Sequence, residues 1–368
     1  MASDVQRGAH LPHMFGTEYN WLVSLSPHPS NGSPQVRMAS SGLLTLAVAV
    51  FCFFCVALKA SPPAADATRH ETAWAITGMD GIIEGLALHP ATLEAFFSDV
   101  RHRCIWYRDV SGEYAVMKKF SAESDDLPGV FALKFSADGR TLWASTSAVP
   151  EMLGFKEADR GRGFLAAYDL GTRKLRATYP LPADGRPHVL GDFLILADGD
   201  LLVTDSLSPV IWRLSANGTR LEKWFEFADF KSLQGIAGGT DERFVYVTDY
   251  AKGLWRIDRA TRECVLLPAP AGSNLRGLDG LYAVPGGFVT VQNGTKSQRI
   301  LRLVLDSAGS LAGVTTLREG HPAMTDLSLG QVINDHFDFI GNSGWELYGN
   351  PAAHPPARDV IIVRAELN

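Results

Sequence analysis

Val245-Tyr246-Val247-Thr248-Asp249, a short turn, then Gly253-Leu254-Trp255-Arg256-Ile257-Asp258: the chain repeats this phrase, and the repetition decides the fold. It returns as Phe96-Phe97-Ser98-Asp99 before Ile105-Trp106-Tyr107-Arg108-Asp109, and as Leu202-Val203-Thr204-Asp205 before Val210-Ile211-Trp212-Arg213-Leu214. A further copy runs Phe288-Val289-Thr290-Val291-Gln292-Asn293 into Arg299-Ile300-Leu301-Arg302-Leu303. Looser copies pair Leu142-Trp143-Ala144-Ser145-Thr146 with residues 164–169, and Phe337-Asp338-Phe339-Ile340-Gly341-Asn342-Ser343 with residues 360–364. Apolar residues alternate in these runs, whereas a helical repeat would place them three and four apart. From Asp99 through Thr146, Asp205, Asp249 and Asn293 to Asn342 the steps are 47, 59, 44, 44 and 49 residues. A period of about 40–50 residues with four short strands per unit is the propeller range. A further strand opens each unit, as at 84–88, 132–135, 192–196, 235–237 and 279–283. The reading is an all-β, six-bladed β-propeller, with a β-sandwich of similar strand content as the competing architecture.

At 368 residues and 46% hydrophobic content, one propeller over residues 72–368 accounts for the core the chain can bury. The 35 glycines and 20 prolines suit its many tight turns. A net charge of −6, with acids and bases mixed and no basic stripe, argues against nucleic acid as a partner. Near the other end, Leu43 to Leu58 (LLTLAVAVFCFFCVAL) is uncharged and apolar, preceded by Arg37 and followed by Ala60-Ser61-Pro62-Pro63-Ala64-Ala65. That order matches a secretory signal peptide, with an uncleaved anchor as the alternative. The expected organisation is an unstructured extension over 1–37 ahead of a true start at Met38, a signal peptide or anchor over 38–60, a linker over 61–71, and the propeller. Export to the periplasm or beyond follows, with membrane contact only through an uncleaved segment. Cys52 and Cys55 lie in the apolar run, and Cys104 and Cys264 fall in blades three steps apart, so no disulfide is expected. An N-terminal strand near Thr72-Ala73-Trp74-Ala75-Ile76 is expected to close the ring against the apolar C-terminal run 359–365.

In a propeller the innermost strands line a central channel whose mouth collects ligands. The residues opening those strands are Glu84, Asp192, Gln234 and Asp279, with Asp326 or Ser328 in blade six and nothing ionisable in blade two (Pro128-Gly129-Val130-Phe131). Carboxylates converging on one axis repel unless neutralised, and a hard cation with oxygen ligands, calcium above all, is the economical answer. Asn293 and Asn342 are the mouth amides placed to contact a substrate. Asp205 and Asp249 recur at one repeat position and read as turn or cap devices. Trp106, Trp212 and Trp255 read as inter-blade packing, and His188 as a satisfied structural residue. Residues 150–163, which lengthen one step to 59, are either a lid over the mouth or a solvated loop.

The chain resembles the gluconolactonase, senescence-marker-protein and luciferin-regenerating-enzyme-like six-bladed propellers, in a divergent, bacterial-type form, over roughly residues 72–368. Ile83-Glu84-Gly85-Leu86, Gln234-Gly235-Ile236-Ala237, Asp279-Gly280-Leu281 and the Thr-Asp phrases followed by Leu/Ile-Trp-Arg carry the likeness. The resemblance implies one divalent ion held by Glu84, Gln234 and Asp279, with Asp279 doubling as general base, and hydrolysis of a small ester or lactone. Gln234 stands where the family usually has Asn, and of the family's sugar-reading set only Asp192 remains. The alternative is a non-catalytic envelope or secreted propeller that binds a ligand or protein partner.

Overall fold

The computed structural model describes residues 72–109, 116–240, 242–350 and 354–367, so the expectations for the extension, signal segment and linker lie outside the described residues. Strand β1 (Thr72–Met79) is followed by blade one, built from β2 (Ile83–Leu88), β3 (Ala95–Asp99), β4 (Cys104–Asp109) and β5 (Val116–Lys119). Blade two is β6 (Gly129–Phe135), β7 (Thr141–Ser147), β8 (Gly163–Asp169) and β9 (Lys174–Pro180). Blade three is β10 (Leu190–Ile195), β11 (Leu201–Asp205), β12 (Val210–Leu214) and β13 (Glu222–Glu226). Blade four is β14 (Leu233–Gly238), β15 (Phe244–Asp249), β16 (Gly253–Asp258) and β17 (Cys264–Leu266). Blade five is β18 (Leu278–Val284), β19 (Gly287–Gln292), β20 (Arg299–Leu305) and β21 (Leu311–Glu319). Blade six takes β22 (Gly330–Ile333), β23 (His336–Ile340) and β24 (Arg358–Glu366), and its outermost strand is β1. The expected closure is therefore present: Trp74 pairs with Ile362 and Ile76 with Val360, antiparallel. Among the described residues no helix is long and apolar enough to cross a membrane.

The core is divided among the blade interfaces. Phe96 and Ile105 of blade one meet Leu142 and Tyr168 of blade two, and equivalent apolar clusters sit between each later pair of neighbours, ending with Ile362 of blade six against Phe97 of blade one. A twisted four-stranded sheet buries both faces only when it has a neighbour on each side, so closure is what completes the core. Trp212 and Trp255 lie in these clusters and Trp106 packs against one, as the sequence led us to expect.

The repeated phrase has a physical meaning residue by residue. The acidic member caps its own blade: Asp205 accepts from the backbone N–H of Val189, Leu207 and Ser208 and from the Trp212 indole at 3.0 Å. Asp99 and Asp249 do the same for Trp106 and Trp255, at 3.0 and 3.3 Å. The hydroxyl before it staples the next blade. Ser98 donates to the Phe131 carbonyl, Ser145 to Gly191 (2.6 Å), Thr204 to Gln234 (2.5 Å) and Thr248 to Asp279 (2.6 Å). Asn293 Nδ2 continues the belt to Leu327, and Ser328 closes it onto the Glu84 carbonyl at 2.9 Å.

Candidate functional site

Each of the first five inner strands carries an extra residue near its start, where the register against the second strand slips, as between Ile83 and Leu86 or between Leu278 and Leu281. A bulge re-aims a side chain out of the pleat. The strands thus begin earlier than the sequence suggested, and Glu84, Phe131, Gly191, Gln234 and Asp279 occupy one equivalent bulge position in blades one to five. The following position is Gly85, Ala132, Asp192, Gly235 or Gly280. At two of these positions close approach requires glycine: a Cβ on Gly85 would lie 2.4 Å from the Phe131 carbonyl oxygen, and one on Gly235 would lie 2.3 Å from the Leu281 nitrogen.

Glu84, Asp192, Gln234 and Asp279 are all buried and line one cavity together with Phe131, Val189, Gly191, Ser206 and Leu329. Its volume is about 20 Å³, little more than a single water or ion needs. A second cavity of about 10 Å³ adjoins the same carboxylates and is walled by Tyr250, Asn293, Gln298, Asp326, Leu327 and Trp345. An apolar roof of Ile82, Val100, Phe131, Val149, Val189, Trp345 and Tyr348 lies over them.

Burial under that roof, and then the Asp279 charge, push the Glu84 carboxyl up to about 8. Burial, opposed by the Asn293 hydrogen bond and reinforced by Asp192 and Asp326, lifts Asp279 to about 7. Each is held by neutral donors. The Trp345 indole N–H donates to Glu84 Oε2 at 2.5 Å, and Asn293 Nδ2 donates to Asp279 Oδ2 at 2.7 Å. Asn293 Oδ1 is left buried with no hydrogen-bond partner, an orphaned acceptor beside two carboxyls.

Asp192 is the exception, because the Lys134 ammonium lies 2.7 Å from its Oδ1. Lys134 belongs to β6 and also donates to the Phe193 carbonyl, so blade two does contribute an ionisable group, which the reading of its first residues missed. The available signal was a lone lysine inside the otherwise apolar run GVFALKF. Trp345 had no local signal, since it reaches Glu84 across 261 residues of chain. It sits on a 3-10 turn (Trp345–Tyr348) between β23 and β24, anchored by Tyr348 Oη on the Asp80 carbonyl. Trp345 of this segment lines the second cavity. Of residues 150–163, weighed as a lid, none lines either cavity, and Met152 is itself buried.

Asn342 lies elsewhere: its Nδ2 donates to the Asp359 carbonyl and its Oδ1 accepts from Ile361 N–H, which ties β24 down and keeps it out of both cavities. Gln292 takes the cap role of blade five, donating to the carbonyls of Asn274 and Arg276. Asp326 accepts from Ser343 Oγ and Gly344 N–H, both at 2.8 Å. His188 is held between Asp205 (2.6 Å) and Asp184 (2.8 Å). Burial lowers its basicity, and the hydrogen bonds of Asp205 and Asp184 outweigh that and raise it. Cys104 and Cys264 are both free.

Among the described residues no three acidic, histidine or cysteine side chains form a ready-made metal centre. The donors at the mouth are nevertheless mainly oxygen: Glu84, Asp279, Asp192 and the Gln234 amide line one ion-sized space, and Glu84, Asp279, Asp326 and the orphaned Asn293 carbonyl line the one beside it. That chemistry fits a hard cation.

No family model and no curated protein sequence matches the chain. Among solved structures it is similar to the PQQ-bound aldose sugar dehydrogenase of Streptomyces coelicolor, with a TM-score of 0.52 and 13% identity over 80% of this chain and 97% of that one. It is similar to a gluconolactonase of Xanthomonas campestris, with a TM-score of 0.50 and 14% identity over 81% and 93%. A streptogramin B lyase aligns with a TM-score of 0.52 and 16% identity over 74% and 81%. At such identities the likeness establishes the propeller fold, which these three proteins carry under three different activities.

Proposed function

We propose that the protein is a hydrolase of a small ester or lactone, working at the channel mouth with one divalent cation, calcium foremost, and exported by its N-terminal apolar segment. The observation that carries this reading is that Glu84, Gln234 and Asp279 occupy the same bulge position of three blades and line one ion-sized cavity. A cation held by Glu84, Asp279 and the Gln234 amide, with Asn293 Oδ1 available beside them, would supply polarisation of the scissile carbonyl. The chain's own residues do the rest. Asp279, with a carboxyl near neutrality, takes the proton of the attacking water and returns it to the leaving oxygen. Asn293 Nδ2 fixes the Asp279 Oδ2 that performs this transfer. Trp345 orients Glu84, while Phe131 and Val189 keep bulk water from the pair. Asp192 and Lys134 form a neutral ion pair that limits the negative charge at the mouth.

A thermal shift in calcium against chelator, followed by a panel of lactones and esters, tests the proposal. A calcium-dependent rise in midpoint that is lost in Glu84→Gln and Asp279→Asn, with lactone or ester turnover lost in the same variants, is the expected result. No shift and no turnover would leave the second reading, a non-catalytic binding propeller. The small volume at the mouth, about 20 Å³, favours that reading.

A further inference from the structure

A cleft of about 800 Å³ lies at the opposite end of the inner strands, between blades six and one. Leu88 and Ile333, the last residues of β2 and β22, form its floor side, and Trp74 of β1, Tyr107 and Arg108 of β4, and His336 of β23 line it further out. Its size is that of a pocket for a small organic ligand, about 300–1,000 Å³.

The charges around it are accounted for, with one exception. Arg364 forks onto Asp338 at 2.8 and 2.9 Å, Arg173 meets Glu94 at 3.2 Å, and Asp109 meets Lys118. Arg108 is half-buried, lies 5.2 Å from the Trp74 ring centroid, and has no acidic partner among the described residues. A guanidinium held on an aromatic face with its fork free is a ready site for a carboxylate, sulfonate or phosphate. A second unsatisfied group shares the cleft. His336 Nδ1 lies 3.2 Å from Asp335 Oδ1, and its buried Nε2 makes no hydrogen bond, with Asp338 Oδ1 3.8 Å away. The lip is apolar: Leu93 is 59% exposed, and its φ of 57° is a conformation that leucine rarely adopts.

We infer that this cleft is a second binding site, for a small amphipathic anion: its acidic group on Arg108, its apolar or aromatic body against Trp74, Leu93 and Ile333, and a hydrogen-bonding group against His336 Nε2. The site is independent of the reading given to the channel mouth. It uses none of the mouth residues and lies at the other end of the strands that carry them.

The test is fluorescence titration of the full chain with 8-anilinonaphthalene-1-sulfonate, compared with uncharged N-phenyl-1-naphthylamine. One saturable site is expected, at least tenfold weaker for the uncharged dye and at least tenfold weaker for the sulfonate in Arg108→Gln. Leu93→Asp provides a second variant at an exposed position, where aspartate accepts the left-handed backbone better than leucine. It places a negative charge at the lip and is expected to weaken the sulfonate by a similar factor with the circular dichroism unchanged. Absence of a saturable site, or a site whose affinity neither substitution changes, overturns the inference.

Discussion

The proposed chemistry rests on Glu84 and Asp279, and their protonation sets the first expectation. In the folded protein burial pushes the pair up, Glu84 to about 8 and Asp279 to about 7, from ordinary values of 4.5 and 3.8. The native state therefore holds protons that the unfolded chain releases between about pH 4 and 8. Stability from this pair is fully present below pH 4 and is lost as pH rises through 7 and 8. Metal-free protein should show a melting midpoint that falls between pH 5 and pH 9, and a saturating divalent cation should flatten that fall by displacing the protons. In chelator at pH 8, Glu84→Gln and Asp279→Asn should each raise the midpoint by a few degrees, because an uncompensated buried charge is removed. In calcium the same variants should melt below the wild type. An increase in both conditions would count against a metal site. The sequence showed the carboxylates and their convergence. It did not show Lys134 or Trp345, because both act on residues of another blade through contacts that exist only after the ring closes.

Single elements carry two further expectations. The hydroxyl belt fixes each bulge by the strand before it: Thr204 holds the Gln234 carbonyl and also accepts from Asp192 N–H. Thr204→Val keeps the shape and removes both bonds, leaving buried polar groups unmet, so it should destabilise by about 1–3 kcal/mol in denaturant titration. It should also weaken calcium binding, since two mouth residues lose their register. Unchanged affinity with lowered stability would reduce the belt to a scaffold device. The strap that carries Trp345 is the other case. Trp345 lines the smaller cavity and donates to Glu84, so withdrawal of the indole would widen the approach to that carboxyl. Trp345→Phe keeps the roof and loses the N–H, so Glu84 should become measurably faster to label with a water-soluble carbodiimide, scored by peptide mass spectrometry. Equal labelling in wild type and variant would show that the roof opens without regard to that bond. The repeated phrase had already marked the Asp caps as structural, since an acidic residue that returns in blade after blade does the same local work each time; the hydroxyl belt emerged only from the structure. The strap breaks the repeat, and for that reason no periodicity announced it.

For the whole molecule the decisive contact is the join of β1 to β24. Val360, Ile362 and Val363 are buried there against β1 and its neighbours, and β24 would otherwise be a long apolar edge. Deleting residues 72–79 should leave protein that aggregates on expression, whereas a soluble deletion with native circular dichroism would show that the ring stands without this strand. The sequence by itself determined the number of blades, the phrase that builds each one, the closing strand and the acidic character of the mouth. All of these follow from residue type at a regular spacing, where local alternation and turn chemistry suffice. Only the tertiary structure decided which polar residues meet. It drew Asn342 to β24 and Asn293 to Asp279, and it joined Lys134 to Asp192. It also covered Glu84 with a tryptophan from the far end of the chain and opened a cleft between the last blade and the first. Those meetings depend on bulges that turn side chains out of their strand pattern and on a ring that brings distant residues side by side, and neither has a signature in linear order.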